Sequence, residues 1–322
     1  MSHFTVVTIG NPNDVLAPFN EQDEEYYAPV DATEEYQKDY EKYHTSYDEW
    51  LNHLKETGEE DNIANFLKWW TNVSIVLLDT DKEAIDEALA SKEHTFIIVN
   101  DKGELLKYYY FHNPNAKWDW WQEGGRFSTT DGRFIFKDGH AADSGRLADV
   151  DLDAMIERAR KKQAEDYDKV IKKFKRRPKV ELSWKKDVWP AIDNVNKMVD
   201  NPSDEQREKM KYTADTLRSL YNAQPDVKKW KKVFPNDIFS SMEDYCCSRE
   251  EFIDKFELPL WAICDENGWH EPTEMGWWAM HDDYDPKAWR EKSIEIIRAN
   301  IKRANEDPDY ADTMIWTIDC HI

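Results

Sequence analysis

Apolar residues gather at both ends of this chain in short runs, and in its middle they repeat with a helical period. HFTVVTI at the start is hydrophobic and rich in β-branched residues, which predicts a strand. Residues 10–30 hold Pro, Asn and acidic residues and predict an exposed loop. Residues 32–58 predict a helix with Trp50, Leu51 and Leu54 on one face. SIVLLD (74–79) predicts a short strand. Thr80 and Glu83 then have the spacing of a capping box, opening a helix that carries Ala84, Ile85, Ala88 and Leu89. Residues 94–112 predict two strands around Asp101-Lys102-Gly103. RFSTTDGRFIFKDG predicts a further hairpin with Asp131-Gly132 at its turn.

Between about 149 and 256 the period becomes helical. One long helix is expected from ADVDLDAMIERARKKQAEDYDKVIKKF, and Ser203 with Gln206 marks the start of another. Trp230 and Phe234 fall on a short basic helix, and SREEFIDKF closes the block. The β pattern then returns: LPLWAICDENGWHE predicts a hairpin around Glu266-Asn267-Gly268, Lys287 to about Asn305 a helix, and MIWTIDCHI a last strand. β-rich ends around a helical middle predict an α+β fold. The expected organisation is an antiparallel sheet shared by residues 1–148 and 257–322, with 149–256 as a helical insertion. A split β-α-β arrangement makes the first and last strands antiparallel neighbours.

Charge narrows the function classes. The net charge of −23 opposes non-specific nucleic-acid binding and allows imitation of a polyanion. No apolar run is long enough for a transmembrane helix. MSHFTVVTIG lacks the basic region and cleavage site of a signal peptide. The four cysteines have no C-x-x-C spacing, which fits reduced thiols in a cytosol. These readings lead to the expectation of a cytoplasmic protein with no membrane contact.

Three constellations carry candidate chemistry. In KWDWWQEGGRFS, Trp118, Trp120 and Trp121 stand beside Glu123, Gly124, Gly125 and Arg126. Paired glycines open the backbone to a ligand, arginine forks onto phosphate or carboxylate, and indole faces stack on bases. Asp119 or Glu123 is expected to support Arg126. The alternative is a tight turn with its tryptophans in the core and Arg126 paired to a carboxylate. The second constellation holds His270 and Glu271, then Trp277, Trp278, His281 and Asp282. Its tryptophans join the candidate ligand wall. Its four polar residues are a candidate set for a divalent metal, although they lack H-E-x-x-H spacing; a packed loop with surface carboxylates is the alternative.

The third constellation joins the termini. His3, Thr5 and Val7 share one strand face, as do Thr317, Asp319 and His321. If antiparallel pairing makes these faces coincide, His3, Asp319 and His321 come together for acid–base work or metal binding; surface histidines near frayed termini are the alternative. His3-Phe4-Thr5 also has the H-x-T form of two-histidine phosphoesterases, which need a second such strand. His44-Thr45-Ser46, the other match, falls in a predicted helix.

MSHFTVVTIG, LAPFNE, NPNAKWDWWQEGGRF, GWHEPTEMGWWAM and IDCHI, taken as a set, resemble a family of uncharacterised proteins encoded by tailed bacteriophages and prophages. The resemblance covers the β-rich ends. It implies an accessory product acting in a bacterial cytoplasm, in host takeover or counter-defence, and it assigns no catalytic residue. The expected partner is a host protein or a small anionic, nucleotide-like ligand. A metal- or histidine-dependent hydrolase of nucleotides, and an acidic mimic of nucleic acid that blocks a host DNA-binding protein, are the other readings.

Overall fold

The computed structural model describes residues 2–71, 73, 75–92, 94–129, 132–197, 203–237, 241–273 and 284–322, and its architecture is α+β. The chain begins with β1 (His3–Ile9), α1 (Pro12–Leu16), β2 (Ala28–Asp31), α2 (Thr33–Tyr43), α3 (Asp48–Thr57) and α4 (Ile63–Thr71). It continues through β3 (Ile75–Leu78), α5 (Lys82–Ser91), β4 (Phe96–Val99), β5 (Leu105–His112) and β6 (Trp120–Glu123). Three short strands follow: β7 (Phe134–Ile135), β8 (Ala141–Ala142) and β9 (Ser144–Arg146). The middle is helical, with α6 (Leu152–Phe174), α7 (Trp189–Lys197), α8 (Asp204–Ala223), α9 (Pro225–Val233) and α10 (Arg249–Ile253). The chain then runs through β10 (Ala262–Asp265), β11 (Gly268–His270), α11 (Pro286–Glu306) and β12 (Met314–His321).

The main sheet has the order β11-β10-β1-β12-β6, with β9 also paired to β12. β1 lies inside it and is buried on all but its first residue. A strand covered on both faces needs mostly apolar residues in succession rather than in alternation, and Phe4, Val6, Val7 and Ile9 supply them, with Thr5 and Thr8 buried among them. On one face Val7 and Ile9 join Ile263, Ile315 and the inward side of α11, including Trp289 and Ile297. On the other, Phe4 and Val6 join Leu16, Trp118, Ala262, Cys264, Ile318 and Cys320. β1 and β12 are antiparallel neighbours over their full length.

A second sheet, β2-β5-β4-β3, carries α2 and α4 against Ile97, Val99 and Tyr108. Its β4–β5 hairpin turns at Asn100, whose side chain accepts from the backbone N–H groups of Lys102 and Glu104. The helical middle has its own core of Phe174, Val188, Ile192, Tyr221, Trp230 and Met242. Ser203 and Gln206 make both bonds of their capping box. No strand occurs among the described residues of 152–256.

Local expectations differ from the structure at five places, the first being residues 10–30, where α1 and the fully buried Leu16 replace part of the expected exposed loop. β10 runs parallel to β1, so the main sheet is mixed rather than antiparallel. These strands are joined through most of the chain, and no tight turn dictates their relative direction. The 32–58 helix breaks into α2 and α3, because Thr45 and Ser46 favour a turn and Ser46 Oγ donates to the Lys42 carbonyl. Asp81, not Thr80, caps α5: its carboxylate accepts from the Ala84 N–H at 3.2 Å. The hairpin after Arg126 pairs β7 with β8 and turns around Asp138-Gly139, with Gly125–Phe127 as a 3-10 turn; Asp131 lies outside the described residues.

Candidate functional site

The β1–β12 register places Ile9 opposite Ile315, Val7 opposite Thr317, Thr5 opposite Asp319 and His3 opposite His321. These residues share one face by the two-residue period of the strands. That face is apolar where α11 covers it and polar at the His3 end. β6 extends it, with Gln122 opposite Asp319 and Trp120 opposite His321. KWDWWQEGGRFS and the two chain ends therefore build one site.

Asp319 is its anchor. The residue has no exposed surface, so its carboxylate needs donors in place of water. His3 Nδ1 lies 2.8 Å from Oδ1. The Arg126 backbone N–H donates to Oδ2 at 2.9 Å, and Gln122 Nε2 donates to Oδ2 at 3.3 Å. Burial alone would raise the Asp319 pKa; the Arg126 amide, His3 and Gln122 together outweigh it and hold the group below its ordinary 3.8. An ionised Asp319 only accepts, so a neutral His3 carries its proton on Nδ1 and leaves Nε2 with a lone pair.

His321 repeats the arrangement with a different carboxylate. Its Nδ1 lies 2.7 Å from Asp119 Oδ1, while the Asp119 backbone N–H donates to the His321 carbonyl at 3.0 Å. His321 Nε2 is buried without a hydrogen-bond partner. The two imidazoles meet edge to face, with ring centroids 5.0 Å apart. Trp120 stacks on His321 at 5.2 Å and 15° and touches His3 with its edge. It remains 41% exposed, so a large aromatic surface borders the histidine pair at the protein exterior.

The glycines allow the close approach. Gly125 has φ +48°, and a Cβ there would stand 2.4 Å from Asp319 Oδ2 and 2.5 Å from Asp319 Cβ. Gly124 has φ +64°, and a Cβ on it would meet Asp143 Oδ2 at 2.9 Å. Only a residue without a side chain lets this turn bring the Arg126 amide onto Asp319. Arg126 itself is exposed, and its backbone rather than its guanidinium holds the anchor.

The other predicted residues divide. Trp118 belongs to the core, its Nε1 donating to the Leu16 carbonyl, and forms no part of a ligand wall. Trp121 packs half-buried on the opposite face. Neither expected support reaches Arg126: Glu123 accepts from Ser144 Oγ at 2.7 Å, and Asp119 serves His321. His270 and Glu271 do not converge. His270 Nε2 lies 3.2 Å from the buried Asp265, while Glu271 pairs with Lys117 at 2.8 Å. Trp277, Trp278, His281 and Asp282 lie outside the described residues. No group of three or more His, Cys, Asp or Glu among the described residues is arranged to hold a metal ion.

Gln122, and the role of Asp119 as partner to His321, were missed by sequence reasoning. The alternation of Trp120 and Gln122 is a strand signal. It became informative only once β6 was known to pair with β12.

Gly125→Ala should cost roughly 1–3 kcal/mol in urea unfolding, from positive-φ strain and collision with Asp319. A variant as stable as the parent would contradict this packing. Asp319 also makes a pH prediction. Because its folded-state pKa is depressed, its stabilisation is present above about 3.8 and is lost as pH falls through the folded value. The stability gap between the parent and Asp319→Asn should therefore be wider at pH 6 than at pH 3, and a pH-independent gap would refute it. Comparison of the chain with protein-family models, curated proteins and solved structures finds no match, so the functional argument rests on the chemistry of this site.

Proposed function

We propose that this chain is a histidine-dependent hydrolase acting on a small phosphate-bearing, nucleotide-like ligand. The observation that carries the reading is the side-by-side pair of imidazoles, each with Nδ1 on its own carboxylate. A carboxylate behind Nδ1 fixes the tautomer and ring orientation, which prepares Nε2 to take or give a proton. Phosphoester hydrolysis needs both events: one proton leaves the attacking oxygen and another reaches the departing oxygen. One imidazole can take the first proton and the other give the second, each transfer contributing about 10²–10⁴-fold in rate.

The rim suits such a ligand. The exposed Trp120 indole offers a face on which a base can stack. Arg126, exposed on the turn that follows β6, offers a forked cation for phosphate. Resemblance to tailed-phage proteins in the NPNAKWDWWQEGGRF and IDCHI segments supports a setting in an infected bacterium. There, removal of a host nucleotide would serve takeover or counter-defence.

The test is hydrolysis of a panel of nucleoside monophosphates, cyclic nucleotides and dinucleotides by chelator-treated protein. His3→Gln and His321→Gln should each lower kcat by about 10²–10⁴-fold on the preferred substrate. Arg126→Ala should mainly raise KM, with melting nearly unchanged because the residue is exposed. Absence of turnover across the panel, or full activity in both histidine variants, would defeat the proposal.

A further inference from the structure

The net charge of −23 hides a local reversal. Residues 169–186 hold nine Lys or Arg and one carboxylate, Glu181. Four more lysines, Lys228, Lys229, Lys231 and Lys232, lie on α9. The fold joins the two groups: α6 ends against α9, and Lys229 Nζ donates to the Phe174 carbonyl at the end of α6. Ring faces support two of the cations, with Lys173 Nζ 4.6 Å from the Phe234 centroid and Lys229 Nζ 4.1 Å from that of Phe174.

The segment after α6 is a held strap. Lys175 turns the chain in the left-handed region, at φ 72°, where glycine is the usual occupant. Arg176 forks onto Asp226, a buried carboxylate at the start of α9 that also accepts from the Lys179 N–H at 2.9 Å. Gln224 accepts from the N–H groups of Glu181 and Leu182 and donates to the Leu182 carbonyl. Between strap and helix lies an open cleft of about 570 Å³, bordered by the cations Arg176, Arg177 and Lys179, the carboxylates Glu181 and Asp226, and Gln224.

Internal pairing uses only part of the positive charge. Arg176 goes to Asp226, Lys169 to Asp166 and Lys185 to Asp244. Lys172, Lys175, Lys179, Lys228 and Lys232 are exposed and make no ion pair among the described residues. They are spread over α6, the strap and α9 and do not converge on one point. That distribution fits a row of phosphates better than a single anion.

We infer that this helical face binds the phosphate backbone of a nucleic acid. The acidic remainder of the chain does not forbid it. At an ionic strength near 0.1 M, exposed charges beyond about 10 Å are screened, and the cations at contact distance decide the outcome. Binding of this kind is insensitive to base sequence and weakens steeply with salt, because neutralised phosphates release counterions. The inference is independent of the histidine pair.

The experiment is fluorescence anisotropy of the full chain with labelled 20-nucleotide single-stranded RNA, single-stranded DNA and duplex DNA, titrated from 50 to 200 mM salt. The three arms identify which backbone is preferred. Capture of at least one at 50 mM salt is expected, with affinity falling about tenfold or more across the range. Lys175→Glu, Lys179→Glu and Lys232→Glu together should reduce affinity at least tenfold and flatten the salt slope by about one per lost contact. The corresponding triple Gln variant carries the test if charge reversal perturbs folding. Lys55→Glu, on the acidic α3, should leave binding unchanged. Three results would overturn the inference: no capture of any oligonucleotide at 50 mM salt, equal capture of polyglutamate, or parental affinity in a folded triple variant.

Discussion

A carboxylate with no access to water stays ionised only if the protein returns the hydrogen bonds that solvent would have made. Asp319 imposes that requirement at the polar end of the main sheet, and the surrounding structure meets it. β1 brings His3, β6 brings Gln122, and the Gly124-Gly125 turn brings a backbone amide from the next residue. The histidine geometry follows from the same anchor. An imidazole held through Nδ1 by an ionised acceptor cannot rotate freely, and its Nε2 is committed to whatever stands beyond it. Asp119 applies the same constraint to His321, and Trp120 covers that ring. The cluster thus combines a rigid, buried foundation with an exposed aromatic edge at Trp120.

Much of this was legible in the amino-acid sequence where local chemistry decides the outcome. HFTVVTI and MIWTIDCHI are apolar, terminal and belong to no hairpin, which made them candidates for each other, and the two-residue period then placed His3, Asp319 and His321 on one face. The Asn100–Gly103 turn and the Ser203 cap were readable because a few adjacent residues determine each. What escaped depends on distant partners. The parallel course of β10 beside β1 follows from no local pattern. Trp118 and Trp120 are separated by a single residue, yet one is core and the other rim; their fates depend on which elements cover them. The tryptophan and glycine motif looked like a self-contained ligand loop. Its glycines answer instead to an aspartate near the opposite end of the chain.

Net charge, too, is not a local property. A net charge is a sum over the whole surface, whereas recognition samples a few ångströms of it. The β-rich part and the helical middle have separate hydrophobic cores, so each can carry a surface with its own electrostatic character. An acidic protein can thereby hold a histidine pair on one unit and a basic face on another.

The central claim is that two carboxylates fix the protons of His3 and His321 on Nδ1. The most direct measurement is ¹⁵N–¹H correlation NMR of the imidazole nitrogens in selectively ¹⁵N-histidine-labelled protein, recorded across neutral pH with single His→Gln variants for assignment. The account predicts that the neutral form of both rings carries its proton on Nδ1 and leaves Nε2 bare, and that Asp319→Asn disturbs His3 more than His321. An Nε2-protonated neutral tautomer at both rings would contradict it, as would rings that average between tautomers like free histidine.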